Sequence, residues 1–290
     1  MMNKAKKSMA PGERTALYLS RLVVWLGLLF ALLPIYFVVH ASFSEGTSFF
    51  QTNAFNWSHV TWQNYASLFK PYTPGYSFGR WLLNTFIVST TSAIIQVFIT
   101  ITAAYAFSRL HFVGRRYGLM TLLILQMFPS LMSATAYYIA LSDINGLNNL
   151  AWYIAILCAG SAYTIWLMKG FMDAAVPKEL DEAAIVDGAG YFRVFWQIIL
   201  PLVLPMIVVV FLFTFIGNFT EYPLASLFLT SPNNYTVGLG LYWLLNPASH
   251  AQNFTAFSAA ALVVAVPITI VYMIFQRWIV RGLTAGAVKG

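Results

Sequence analysis

Long apolar runs alternate with short polar ones along the whole chain. Six segments contain no Asp, Glu, Lys or Arg: Leu22–Val39, Trp81–Phe107, Tyr117–Leu141, Leu150–Met168, Pro201–Thr220 and Phe254–Gln276. About 20 apolar residues cross a bilayer core as a helix, which satisfies its backbone polar groups within one segment. The pattern therefore predicts an all-α, multi-pass membrane protein with six transmembrane helices, at about 22–40, 81–107, 117–141, 150–169, 201–222 and 254–277. The first run is the shortest. Arg21 and His40 flank it and can snorkel to the two surfaces. No small-residue cleavage site follows it and it exceeds a signal h-region in length, so it reads as a retained helix. Residues 1–20 form a short basic arm, and 21–290 form one transmembrane domain without an internal repeat.

The polar intervals carry their own signals. In the segment 41–80, Trp62, Tyr65, Ala66 and Phe69 share a helical face behind Thr61, a candidate N-cap. That face suits the membrane surface or the rest of the chain, and equally an outside partner. Asn and Gly residues in Asp143–Asn149 suit a turn. Leu224–Asn253 reads as a neutral, polar loop containing Ser231-Pro232-Asn233-Asn234 and Asn246-Pro247. The segment 172–200 differs, because it reads as helical. Pro177 suits a first turn, and Glu179, Asp181 and Glu182 place anions at the positive end of the helix dipole. Ala183 and Ala184 permit close approach by another surface, and Gly188 can end the helix in a left-handed conformation. Tyr191–Leu200 then resumes a helix, with Pro201 at its end where the fifth span begins.

Composition supports the bilayer. The 290 residues are 59% hydrophobic and 9% charged, against about 25% charged in soluble domains. Charge then orients the chain. With the N-terminus inside, Lys4, Lys6, Lys7, Arg14 and Arg21, then Arg109, Arg115 and Arg116, then Lys169, Lys178 and Arg193, then Arg277, Arg281 and Lys289 all lie on the cytoplasmic side. Only Lys70 and Arg80 fall outside, so the positive-inside rule predicts both termini in the cytoplasm. The same dispersal explains the net charge of +7 without any nucleic-acid partner. Cys158, the only cysteine, excludes an intrachain disulfide and reads as a packing residue.

Sequence signatures of catalysis are missing. The chain has no G-x-x-x-x-G-K-[ST] phosphate loop and no G-x-S-x-G elbow. His40, His59, His111 and His250 lack metal-ligand spacing. These absences argue against an enzyme and against a cofactor in this chain.

Residues Glu182 to Pro201, EAAIVDGAGYFRVFWQIILP, carry a more specific pattern. Glu182, Ala183, Ala184, Gly188, Ile198, Leu200 and Pro201 fall where the "EAA" loop places them in permease subunits of binding-protein-dependent ABC importers, and Asp187 matches a common variant. Ala104-Tyr105-Ala106-Phe107-Ser108-Arg109 with Phe112 and Gly114-Arg115, Asn64-Tyr65 with Leu68-Phe69, Thr220-Glu221 with Pro223, and the tail Gly282–Gly290 resemble the carbohydrate-uptake group of that family, the maltose/maltodextrin permeases above all. The resemblance spans nearly the whole chain and is weakest in residues 1–60 and in the outer loops. It implies the type I importer permease fold in a bacterial cytoplasmic membrane, and a transport subunit rather than an enzyme. It also implies a second homologous permease, two copies of an ATPase that binds ATP and magnesium, and an extracytoplasmic solute-binding protein that delivers an oligosaccharide. By that resemblance, Glu182, Ala183, Ala184, Asp187 and Gly188 would couple the ATPase to the membrane, and the cavity would open alternately to each side. A permease for a different sugar of the same group, and an ion-coupled secondary transporter, stand as alternatives.

Polar side chains inside the spans suggest a pathway. Thr85, Ser89, Ser92, Gln96 and Thr100 recur every three or four residues and form one helical stripe. Gln126, Ser130, Ser133 and Tyr137 form a second beside Pro129, and Thr214, Asn218 and Glu221 a third. Hydroxyls and amides suit an uncharged sugar, yet the same residues also hydrogen-bond membrane helices to one another. Both readings are open. Glu221 is the one carboxylate near a span, which makes it either functional or an interfacial residue meeting water. Pro34, Pro129, Pro205 and Pro267 mark points where spans can bend.

Overall fold

A computed structural model describes residues 11–48, 57–58, 60–70, 76–159, 161–245 and 253–287. Four helices are long and apolar enough to cross a membrane. They are α1 (Pro11–Ser42), α3 (Phe78–Arg109), the continuous helix Tyr191–Phe219, and the membrane part of α13 (Phe254–Ala287). Two bent helix pairs raise the number to six if each pair is one span. One is α4 (Arg115–Gln126) with α5 (Ser130–Asp143), bent by 91°; the other is α6 (Leu150–Leu157) with α7 (Ala162–Ala175), bent by 50°. The third and fourth spans, expected at 117–141 and 150–169, are thus each bent, the third at the Pro129 that the sequence marked as a bending point. Pro129 gives the first break its cause. It lacks the N–H that would bond back into α4 and its ring crowds the preceding turn, and here the chain turns at Met127 and Phe128 and restarts at Ser130, whereas Pro34, Pro205 and Pro267 are carried inside helices.

Several boundaries also move. Helix α1 begins at Pro11, so half of the expected arm is helical; residues 1–10 lie outside the described residues. The run from Tyr191 continues through Pro201 into the fifth span, as the sequence suggested. Its first turn α9 (Tyr191–Val194) passes through a wide turn, Phe195–Ile199, into α10 (Leu200–Phe219). There the Leu200 N–H bonds to the Phe195 carbonyl five residues back. That extra width before Pro201 makes room for a ring that would otherwise strike the preceding turn.

The Asp143–Asn149 turn forms as expected. Asn145 and Asn148 are left-handed, and the Asn149 side chain accepts the Ala151 N–H at 2.8 Å to start α6. Between α1 and α3, α2 (Gln63–Leu68) buries Asn64 and Leu68 rather than the aromatic face. Trp62 and Phe69 stay exposed, and Thr61 takes the Gln63 N–H on its hydroxyl. The Asn64 amide donates to the Ser42 and Ser44 carbonyls, tying α2 to the end of α1.

Leu224–Asn253 departs most from its expected form. It contains α11 (Pro223–Phe228) and α12 (Val237–Leu245). Val237, Gly240 and Leu244 lie on one face of α12 and pack beside Trp81, Phe215 and Ala259. A Cβ on Gly240 would lie 2.1 Å from the Trp81 ring, so only glycine permits this approach. Residues 246–252, including Asn246-Pro247 and His250, lie outside the described residues. A second cluster sits at the Arg109 end of the bundle, where Tyr105, Met168, Met172, Phe195 and Val203 join α3, α7 and α10.

Candidate functional site

The segment singled out by its motif forms α8 (Lys178–Val186), directly after Pro177, with Glu179 and Asp181 in its first turn. Gly188 ends it at φ +84°. The Gly188 N–H bonds to the Ile185 carbonyl at 3.0 Å and the Ala189 N–H to the Ala184 carbonyl at 2.9 Å, a Schellman cap. A Cβ on Gly188 would meet open space, so its requirement is conformational rather than steric. Glu182, Ala183, Asp187 and Gly188 are exposed, and Ala184 is half-buried against the core beneath. Val186 is 87% exposed. The helix offers the small and acidic side chains outward together with Leu180, Ile185 and Val186, and its C-terminal end is capped.

Arg109, at the end of α3, clasps this unit. Its Nε faces the Asp181 carboxylate in an ion pair, and its Nη2 donates to the Val176 carbonyl at 2.6 Å. Nη1 lies 2.9 Å from the Ser108 hydroxyl and 3.5 Å from Asp173. Ser108 donates to Asp173 as well, and Lys169 reaches the other Asp173 oxygen at 2.6 Å. The Arg109 and Asp181 side chains are only 6% and 11% exposed. One guanidinium therefore joins α3, the end of α7 and the start of α8. Sequence reasoning missed this bond, reading Arg109 as a flanking charge and Asp181 as a dipole-favoured acid, because the two are 72 positions apart and nothing local pairs them.

The α3 stripe is mostly used between helices. Ser92 accepts from the Asn218 amide at 2.7 Å and donates to the Val88 carbonyl at 2.6 Å. Thr85 takes the Val237 N–H at 2.7 Å, and the Thr100 and Thr164 hydroxyls meet at 3.2 Å. Ser89 is fully buried, without a side-chain hydrogen bond among the described residues. Gln96 is half-exposed.

The stripe through Gln126, Ser130, Ser133 and Tyr137 is not one face, because the 91° break falls between Gln126 and Ser130. Gln126 instead donates to the Ser161 hydroxyl at 2.9 Å and accepts the Tyr163 N–H at 3.0 Å, linking the end of α4 to the start of α7. Ser133 is exposed on α5, and the side chain of Ser130 lies outside what is described.

Glu221 is partly buried and fully engaged. It accepts the Leu224 and Ala225 N–H groups at 2.6 and 3.0 Å, capping α11, and accepts a hydrogen bond from the Tyr153 hydroxyl on α6. Thr220-Glu221-x-Pro223 carried a local signal for this cap, an acid just ahead of a proline-initiated helix. Among the described residues, no group of three or more His, Cys, Asp or Glu could hold a metal ion.

This architecture, a bundle of membrane helices with a capped helix clasped outside it, has relatives. Residues 96–285 match the family of binding-protein-dependent transport system inner membrane components. The chain belongs to that family and is a multi-pass membrane permease component. It is 35% identical to the maltose/maltodextrin transport system permease protein MalG of Escherichia coli, over 96% of this chain and 97% of that one. It is 40% identical to the maltodextrin permease protein MalD of Streptococcus pneumoniae, over 73% of this chain and 76% of that one. The galactooligosaccharides permease protein GanQ of Bacillus subtilis is 35% identical, over 89% and 90%. In fold, the chain resembles one chain of a bacterial ABC transporter that imports alginate, with a TM-score of 0.75, 20% identity and coverage of 94% and 99%.

Proposed function

We propose that this chain is one permease subunit of an ATP-driven importer for maltose/maltodextrin-type oligosaccharides in a bacterial cytoplasmic membrane. It pairs there with a second, homologous permease. Both termini face the cytoplasm, in keeping with the placement of the basic residues. Two copies of a separate ATPase serve the pair of permeases, and one of them docks on α8 of this chain through Glu182, Ala183, Ala184, Asp187 and Gly188. A solute-binding protein delivers sugar at the opposite face. ATP binding closes the ATPase pair, α8 follows, and the cavity turns outward; hydrolysis resets it.

The observation that carries this reading is the clasp. Because Arg109 holds α8 to both α3 and α7, displacement of α8 must move two span-forming elements together. A loop that merely joined two spans would not need the ion pair. The sugar class rests on relatives named as maltose/maltodextrin and maltodextrin permeases, over 96% and 73% of this chain, with a galactooligosaccharide permease at the same identity as MalG making that sugar the competing substrate.

The test is purification of the tagged chain in mild detergent from its native membranes. A P-loop ATPase and a second permease are expected to accompany it, with ATP hydrolysis stimulated by a maltodextrin-loaded binding protein and not by galactooligosaccharide. In cells, Glu182→Lys and Gly188→Asp should each abolish uptake while the chain stays inserted. Normal uptake by either variant would sink the coupling role.

A further inference from the structure

Two hollows meet on one side of the bundle. The first is an apolar groove of about 270 Å³ walled by Phe98, Thr102, Phe192, Phe195 and Trp196. The second is a polar pocket of about 260 Å³ containing His111, Arg115 and Lys178. Tyr105 and Tyr191 line both, and the Tyr105 hydroxyl donates to the Tyr191 carbonyl at 3.1 Å where they join.

We propose that this composite site holds one anionic phospholipid, with its phosphate among His111, Arg115 and Lys178 and an acyl chain in the groove. Length supports it. Phe98 lies eleven residues before Arg109 on α3, or about 16 Å along the axis at 1.5 Å per residue. That is roughly one leaflet of a 30 Å hydrocarbon core. Charge supports it as well. Arg109 and Asp181 at the pocket wall neutralise each other. His111 and Lys178 make no hydrogen bond or ion pair among the described residues, and Arg115 donates only to the Phe107 and Ser108 carbonyls. Arg115 and Lys178 outnumber the one remaining carboxylate lining the pocket, Glu182. Basic pockets at the membrane interface are suited to acidic headgroups. A soluble phosphate would leave the aromatic groove empty and exposed, and a neutral lipid would leave the cations unmatched.

The inference needs α3 and the helix from Tyr191 to span the membrane. It does not need the sugar or the ATPase, and uptake is not its readout, so its failure and that of the importer reading are separable. The full chain, with whatever subunits it retains, is placed in nanodiscs containing phosphatidylglycerol with a photoreactive acyl chain, and labelled peptides are sequenced. Labels should concentrate on the segments 98–102 and 192–196. Phosphatidylcholine with the same tag should label them at least threefold less. The His111→Gln, Lys178→Gln double variant should lose at least threefold of the phosphatidylglycerol label there while labelling of α1 is unchanged. Thr102→Trp, which fills the groove, should lower the label from either lipid. Equal labelling by both lipids, no loss in the double variant, or groove labelling no higher than on α1 would overturn the proposal.

Discussion

The two ends of this bundle are held by different chemistry. At the Arg109 end, the joints are ionic: Arg109 with Asp181 and Asp173, and Lys169 with Asp173. At the Trp81 end no ion pair is found among the described residues; apart from Arg80 donating to Asn233 and the Glu221 cap, the joints there are neutral and aromatic. The Trp81 indole donates to the Pro232 carbonyl at 2.9 Å, the Asn84 amide donates to the Asn233 and Tyr235 carbonyls, and Tyr76 and Trp243 rings meet at 4.6 Å. Ionic joints are strong only when complete, because a buried charge without its partner is costly. A clasp of this kind holds α8 in one position relative to α3. Neutral amide and ring contacts cost less to exchange, so the Trp81 end can repack with smaller penalties. Under the proposed mechanism, force enters where the joints are ionic, and the sugar enters where they are neutral.

The contrast can be broken from either side. Removing Arg109 should have the largest effect. Arg109→Ala leaves Asp181 buried and unpaired, at a cost of about 3–5 kcal/mol, and frees α8 from α3. Thermal unfolding should shift down markedly and uptake should be lost, and adding Asp181→Asn should recover much of the stability but not the uptake. If the single variant were as stable as the parent, the clasp would be no joint. At the Trp81 end, Gly240→Ala puts a methyl into the Trp81 ring. Overpacking of this kind costs about 1–3 kcal/mol, read as a lower unfolding temperature with ATPase coupling preserved. Asn218→Ala, which removes the bond to Ser92, should be the mildest. Hydrogen bonds between membrane helices average about 0.6 kcal/mol, so a small loss of stability with near-normal uptake is expected. A collapse of uptake with intact folding would instead assign Asn218 to the sugar pathway.

Much of the architecture was legible in advance because its causes are local. Apolar length marked the spans, and Gly188 marked the end of α8 because few other residues adopt φ +84° cheaply. The helical character of α12 was missed. VGLGLYWLL carries apolar residues almost throughout, but its neighbouring asparagines and prolines suggested a loop, and its burial depends on the face that Trp81 presents. The stripes were found correctly as spacings and read incompletely as surfaces. Helical spacing places Ser92 and Thr100 on one face, but not what that face meets, and the helix that would align Gln126 with Ser130 breaks at Pro129.

The sequence by itself determined the solvent, the elements that cross it and the capped helix near Glu182. Transfer of apolar segments out of water and the φ preferences of glycine and proline act within a few residues of where they are written. Only the tertiary structure decided that Arg109 would meet Asp181, that Glu221 would accept from Tyr153, that Gln126 would bridge the two broken helix pairs, and that a groove and a basic pocket would meet at Tyr105. Each of these pairs groups distant in the chain, and their energies depend on burial and direction, which exist only once the helices have packed.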